Sequence, residues 1–78
     1  MDPHFAWDLL LDTYVDGEWE AVAILAEDLL AWMSKGGFPP RLTVEPRLDE
    51  RWQRAIAEAA CRFALAVAQE HLQENPCP

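Results

Sequence analysis

Lysine and arginine are missing from the first 34 positions of this 78-residue chain. The same stretch holds eight acidic residues and carries −8, whereas the six acids and six bases of residues 35–78 cancel, which gives the formal net charge of −8 at pH 7. Proteins contact nucleic-acid phosphates and anionic membrane surfaces through lysine and arginine. The charge therefore predicts no direct nucleic-acid partner and no membrane partner.

Cysteine, glycine and long apolar runs are also scarce. Two cysteines, Cys61 and Cys77, are too few for a disulfide framework and are typical of a reducing compartment. All the glycines fall at expected helix ends, which excludes a glycine-rich phosphate loop: Gly17, Gly36 and Gly37. No apolar run approaches the roughly 18 residues of a membrane-spanning helix, and early aspartates interrupt any signal peptide. We therefore expect a cytoplasmic protein.

Half of the chain is nevertheless apolar, with 51% hydrophobic residues, and the apolar positions recur at helical spacing. This pattern predicts an all-α fold in a single domain over residues 1–78. We expect a three-helix bundle in which a helical hairpin is followed by an extended Pro-rich connector and a long third helix. The predicted segments are helices at about 3–15, 18–35 and 48–73, a connector at 36–47 and a frayed tail at 74–78.

Each predicted helix carries one apolar stripe, which we interpret as its buried side. The stripes are Phe5, Ala6, Leu9, Leu10, Thr13 and Tyr14 in the first helix, Trp19, Val22, Ala23, Ala26, Leu29, Leu30 and Met33 in the second, and Trp52, Ile56, Ala59, Ala60, Phe63 and Val67 in the third. Trp19 and Trp52 are therefore expected in the core. Trp7 and Trp32 lie off the stripes; we expect the connector to cover them, with anchoring of a partner as the alternative.

The third predicted helix is rich in alanine, because seven of the fourteen residues from Ala55 to Ala68 are alanine. A helix that is apolar nearly all round is buried on more than one side, and two shorter helices do not easily cover it. We therefore expect a homodimer formed through this helix, although helix propensity alone also favours alanine. The candidate self-association face is Ala55, Ala59, Phe63, Ala66 and Val67.

Six acidic residues of the N-terminal hairpin form the candidate partner face: Asp8, Asp12, Asp16, Glu20, Glu27 and Asp28. The first three are four residues apart and share one side of the first predicted helix, where like charges repel each other. One interpretation is a docking surface for a basic protein. Two others are a solvated face without a partner and internal neutralisation by arginines that follow the connector: Arg47, Arg51 and Arg54.

No set of residues converges as an active site or a metal site requires. Ser34 is expected at a helix C-terminus, where no free amide stabilises an oxyanion. Cys61 is expected to be a small buried hydrophobic residue, and His71 a partly exposed residue near the end of the third helix. We therefore predict that the protein is not an enzyme and has no catalytic, cofactor-binding or metal-ligating residue.

Residues 6–39 carry a spaced set of aromatic, small and turn-forming residues: Trp7, Leu10, Tyr14, Gly17, Trp19, Val22, Ala26, Leu29 and Pro39. This set resembles one tetratricopeptide repeat. Departures are Leu11 where that family usually has a small residue, Val22 in place of alanine, a short turn, a late proline and the lack of a second repeat. The resemblance implies a helical hairpin and a role in protein–protein interaction. Residues 36–40 are also similar to a segment of small bacterial proteins of unknown function.

The sequence thus favours a small acidic adaptor that is itself a homodimer and has a basic protein partner. The alternative is a nucleic-acid mimic that inhibits a DNA-binding protein through the acidic N-terminal hairpin. Mimicry requires carboxylates spaced like phosphates along one face, and the line on the first predicted helix has only three members.

Overall fold

The computed structural model of the chain describes residues 1–73. It has three helices, α1 (Pro3–Asp16), α2 (Trp19–Ser34) and α3 (Glu50–Gln73), and residues 1–73 contain no strand. The all-α prediction and the number of helices are therefore confirmed. No helix in this part of the chain is long and apolar enough to cross a membrane. The predicted frayed tail, residues 74–78, lies outside the described residues.

Local hydrogen bonds define both ends of α1. The Asp2 side chain accepts hydrogen bonds from the backbone amides of His4 and Phe5 at 3.0 and 3.4 Å, and a proline follows it at the first helical position. These contacts satisfy amides that have no partner inside the helix. At the other end Gly17 adopts the left-handed conformation, with φ of 74°. The amide of Glu18 then donates to the carbonyl of Thr13 at 2.9 Å, as in a Schellman motif.

The C-terminus of α2 also ends at a left-handed glycine, and a side chain of α3 contacts it. Gly36 is left-handed, and the Gly37 amide donates to the Trp32 carbonyl at 2.9 Å. A side chain at Gly37 would collide with the Trp32 indole, so glycine is required there. The Arg54 guanidinium of α3 donates to the Met33 carbonyl at 2.7 Å. A cation at the carbonyl end of a helix is favourable, and this contact ties α3 to α2.

The core is centred on α2, which packs against both other helices, whereas α1 and α3 touch each other little. Val22, Ala26 and Leu29 of α2 have no exposed surface. The predicted α2 stripe is therefore confirmed at its central positions. In α1 the buried residues include Ala6 and Leu10, but Phe5 and Leu9 of the predicted stripe are exposed and that part of the prediction was wrong.

The predicted buried side of α3 was also wrong. The structure buries a different set of side chains, most of them small: Gln53, Ala57, Cys61, Ala64 and Ala68. Small side chains allow two helix backbones to approach closely, and α3 uses them where it meets α2. Trp52, Ile56 and Phe63 are too large for that contact and lie on the outside, with 44%, 39% and 62% of their surface exposed.

The connector between α2 and α3 has neither helix nor strand at residues 37–45, turns at residues 46–48, and is held by side chains of α1 and α3. The Gln53 side-chain oxygen accepts from the amides of Leu42 and Thr43 at 2.8 and 3.1 Å, and its nitrogen donates to the Thr43 hydroxyl at 2.6 Å. His4 Nε2 accepts from the Arg41 amide at 3.0 Å. Three successive amides of the connector are thus paired with side chains of α1 and α3 and not with a strand.

Candidate interaction surfaces

The most prominent surface feature is an apolar stripe on the outer side of α3, which we call the α3 stripe. It consists of Trp52, Ala55, Ile56, Ala59, Phe63 and Ala66, all exposed. The charged residues of α3 between Trp52 and Gln69 are four residues apart and occupy another side: Arg54, Glu58 and Arg62. An exposed apolar surface that no charge interrupts is typical of an interaction site.

The position of the α3 stripe follows from helix geometry. At 3.6 residues per turn, its members project away from the buried residues of the same helix. Four of the five residues of the predicted self-association face belong to it, and the fifth, Val67, is half-buried at its edge. The stripe also includes Trp52 and Ile56, which sequence reasoning had assigned to the core.

An apolar groove borders the α3 stripe on the side of α1. Its volume is about 170 Å³, and it is lined by Trp7, Leu10, Leu11, Tyr14, Ala60, Phe63 and Ala64. Phe63 belongs to both features, and its ring centroid lies 6.4 Å from that of Tyr14. The groove exists because α1 and α3 both pack on α2 and not closely on each other. Stripe and groove therefore form one continuous apolar surface.

Each of the four tryptophans occupies a different environment. Trp32 is covered by the connector as expected, since its Nε1 donates to the Phe38 carbonyl at 2.8 Å. Trp7 was expected to lie under the connector, but it lines the groove between α1 and α3. Trp19 is half-buried and stacks on His71, with ring centroids 4.2 Å apart and an interplanar angle of 7°. Trp52 is exposed, so its assignment to the core was wrong.

All six residues of the candidate partner face are exposed: Asp8, Asp12, Asp16, Glu20, Glu27 and Asp28. Among residues 1–73, the three arginines considered for internal neutralisation form no ion pair with them. Arg47 instead pairs with Glu45, which lowers the pKa of that carboxyl, and Arg54 binds the end of α2. The structure therefore argues against internal neutralisation in the described chain.

The six acids do not share one surface. Asp8, Asp12 and Asp16 lie on the side of α1 opposite Ala6 and Leu10, which are buried. The three acids of α2 likewise lie opposite the buried residues of their own helix. Because both helices pack by their buried sides, the two groups of carboxylates project in different directions. The partner face thus divides into an α1 group and an α2 group.

The residues considered for chemistry are engaged in ordinary structural roles. Cys61 is fully buried, and desolvation, together with the nearby charge of Glu58, raises the pKa of its thiol to about 11. A thiol in this state is a poor nucleophile. The Ser34 hydroxyl donates to the Ala31 carbonyl at 2.9 Å. Within residues 1–73, no three His, Cys, Asp or Glu side chains converge as metal ligands.

A polar cavity of about 350 Å³ lies at the N-terminus of α3, lined in part by His4, Arg41 and Asp49. Two of its polar groups already have partners. His4 Nε2 accepts from the Arg41 amide, and the Asp49 carboxylate accepts from the Trp52 amide at 3.1 Å as a helix cap. These two side chains thus hold the connector and the start of α3 in place.

Gln53 is the structural residue that sequence reasoning missed. It is 5% exposed and makes three hydrogen bonds to the connector. Its spacing offered a signal, since Gln53, Ala57 and Cys61 are four residues apart and share one side of a helix. A lone amide in line with small apolar residues indicates a buried polar anchor.

Comparison with family models, with curated proteins and with solved structures gave no match for this chain. The resemblance of residues 6–39 to a tetratricopeptide repeat accordingly stays a prediction.

Proposed function

We propose that the protein is a small non-catalytic adaptor that pairs with a second copy through the α3 stripe and presents its acidic hairpins to a basic protein partner. One observation carries this proposal: the apolar and the acidic surfaces are separate. The α3 stripe has no charged member, and α1 and α2 contain no lysine or arginine beside their acids. Two surfaces of opposite chemistry suit two different contacts.

The size of the apolar surface supports pairing. An aromatic side chain offers roughly 200 Å², so the exposed 44% of Trp52 and 62% of Phe63 leave about 200 Å² of aromatic surface in water. A stable interface buries about 800 Å² on each partner. The aromatic residues supply about a quarter of that area, and the other stripe residues and the adjoining groove are the apolar surface available for the rest.

The charge distribution supports a basic partner. Exposed carboxylates on α1 repel one another and have no compensating base within residues 1–73. A basic partner would relieve this repulsion and would be attracted from a distance. The tetratricopeptide resemblance of the same hairpin also favours an interaction role, and the free thiol of Cys61 fits the cytoplasm as the compartment.

The pairing is tested by the mass in solution. We expect light scattering at micromolar concentration to give twice the 8.9 kDa of one chain. Phe63→Asp should return the mass to one chain without loss of helicity. Phe5→Asp is the matched control, because Phe5 is 67% exposed on α1 and outside the stripe. A wild-type mass of one chain would refute the pairing.

The partner surface is tested by charge reversal in two matched triples. Replacing Asp8, Asp12 and Asp16 with lysine alters α1, and replacing the three acids of α2 alters net charge by the same amount. We expect the α1 triple to abolish capture of a basic protein from extract and the α2 triple to weaken it. Capture that survives both triples would show that the acids are only solvated. Displacement of the captured protein by DNA would favour the nucleic-acid mimic.

A further inference from the structure

We infer that the two copies pair with antiparallel α3 helices, with the twofold axis beside Ala59. The inference rests on the proposed self-association and specifies its geometry. In an antiparallel pair of identical helices, residues equally far before and after the axis face each other. Trp52 lies seven positions before Ala59 and Ala66 seven after it; Ala55 lies four before and Phe63 four after. Each aromatic side chain therefore faces an alanine of the second copy.

This pairing of large with small side chains is what close packing requires. Each aromatic ring fills the space left by an alanine, so the two surfaces interdigitate without voids. Ala59 faces Ala59 of the second copy at the axis, where two helices come closest. The same helix already uses alanine for its close contact with α2, at Ala57 and Ala64. Alanines on opposite sides of α3 would thus allow two close contacts, one with α2 and one with the second copy.

A parallel arrangement fits the same residues poorly. It brings Phe63 against Phe63 and Trp52 against Trp52, while the alanines face each other and leave space unfilled. It also places like charges at equal heights, Arg62 beside Arg62 and Glu70 beside Glu70. The antiparallel arrangement instead brings Glu70 of one copy within one helical turn of Arg51 of the other. Opposite charges at the rim of an interface favour the register that brings them together.

The nearest competitor is an antiparallel pair with the axis two positions later, at the level of Cys61, which shifts the facing residues by four positions. In that register Phe63 faces Ala59 and Ile56 faces Ala66, but Trp52 faces Glu70. The largest side chain of the stripe then has no small residue to pack against. The axis at Ala59 matches both aromatic residues with alanines of the stripe, and it places Ile56 opposite Arg62, whose aliphatic stem can pack on apolar surface while its charge stays in water.

Disulfide cross-linking tests this register directly. For helix axes roughly 9 to 10 Å apart and Cα atoms about 2.3 Å from each axis, two Cα atoms facing each other at the twofold axis are about 4.4 to 5.4 Å apart, within the range of a disulfide. In a Cys61→Ala, Cys77→Ser background, we expect Ala59→Cys to cross-link under mild oxidation. Ala55→Cys and Ala66→Cys should stay uncrosslinked, since each faces an aromatic residue. A mixture of Ala55→Cys and Phe63→Cys chains should give the mixed disulfide.

The outcomes separate the inference from the proposal on which it rests. Cross-linking of Ala55→Cys, Ala59→Cys and Ala66→Cys to equal extent would show parallel helices and overturn the inference. A protein of dimer mass in which Ala59→Cys does not cross-link, while a mixture of Ala59→Cys and Phe63→Cys does, would place the axis at Cys61 and also overturn it. A single-chain mass for the wild-type protein would instead refute the proposed self-association itself. Helicity of each variant by circular dichroism confirms that the fold is intact.

Discussion

The two sides of α3 differ in a way that reverses the usual expectation for an amphipathic helix. The side against α2 carries small residues such as Ala57 and Cys61, with no exposed surface, whereas the outer side carries Trp52 and Phe63. Large apolar side chains normally mark the buried face of a helix. Here the distance between α2 and α3 is the deciding factor, because only small side chains fit between backbones that approach closely. The large residues are left exposed on the outer side of the helix.

The largest expected effect comes from filling the close contact. Ala57→Leu inserts three carbon atoms between α2 and α3 and should lower the free energy of unfolding by roughly 1–3 kcal/mol. Ala55→Leu, on the outer side of the same helix, should change the stability of the single chain by less than about 0.5 kcal/mol. Urea denaturation at low protein concentration measures both.

Ala55→Leu has a second consequence that sharpens the comparison. The added side chain occupies the space assigned to Phe63 of the second copy, so this variant should be folded but show weakened pairing by light scattering. If Ala55→Leu destabilised the single chain as much as Ala57→Leu, the two sides of α3 would not differ as described.

The next largest effect is expected at Gln53. Gln53→Leu keeps the volume but removes the partner of the Leu42 and Thr43 amides, which should cost about 1–3 kcal/mol. Gln69→Leu is the control, since Gln69 is exposed on the same helix. Hydrogen exchange should show faster exchange at residues 42 and 43 in Gln53→Leu. Unchanged exchange at these amides would contradict the anchoring role.

The buried thiol gives a pH dependence of known sign. The pKa of Cys61 rises from 9.0 to about 11 on folding, so the folded state disfavours the thiolate. The contribution is fully present below pH 9 and is lost as pH rises from 9 toward 11. We expect the wild-type protein to lose more stability across this window than Cys61→Ala, measured by urea denaturation. Equal losses in both proteins would show that folding does not raise the pKa of the Cys61 thiol.

The smallest expected effect is that of salt, which should act in opposite directions on the two surfaces. Raising ionic strength from about 0.1 M to 1 M shortens the Debye length from roughly 10 to 3 Å. Pairing through the α3 stripe should strengthen modestly, because repulsion between two chains of net charge −8 is screened. Binding of a basic partner should weaken. The same sign for both, measured by sedimentation and by capture, would remove the distinction between the surfaces.

Much of the fold was predictable because it depends on local signals. The Asp2 cap, Gly17 and Gly36 define helix ends through contacts within a few residues. The buried side of α3 was not predictable in the same way. An alanine-rich helix carries apolar residues on several sides, so periodicity alone does not show which side meets α2. That choice depends on the distance between two helices, which no single segment encodes.

The candidate surfaces were predictable to different degrees. Ala55, Ala59 and Phe63 were identified as a self-association face from composition, and the structure leaves them exposed. Their combination with Trp52 became visible only when the core was known. The separation of the acids into an α1 group and an α2 group likewise depends on which side of each helix is buried.

The hydrogen bonds of Gln53 and Arg54 determine which residues of α3 can be replaced without disturbing the fold. One turn of α3 holds both the connector and the end of α2, so these two positions and the small residues behind them are constrained together. No residue of the α3 stripe makes these contacts. Its residues can be exchanged one at a time for other apolar side chains while these contacts stay in place, and each exchange changes the surface that α3 offers to solvent.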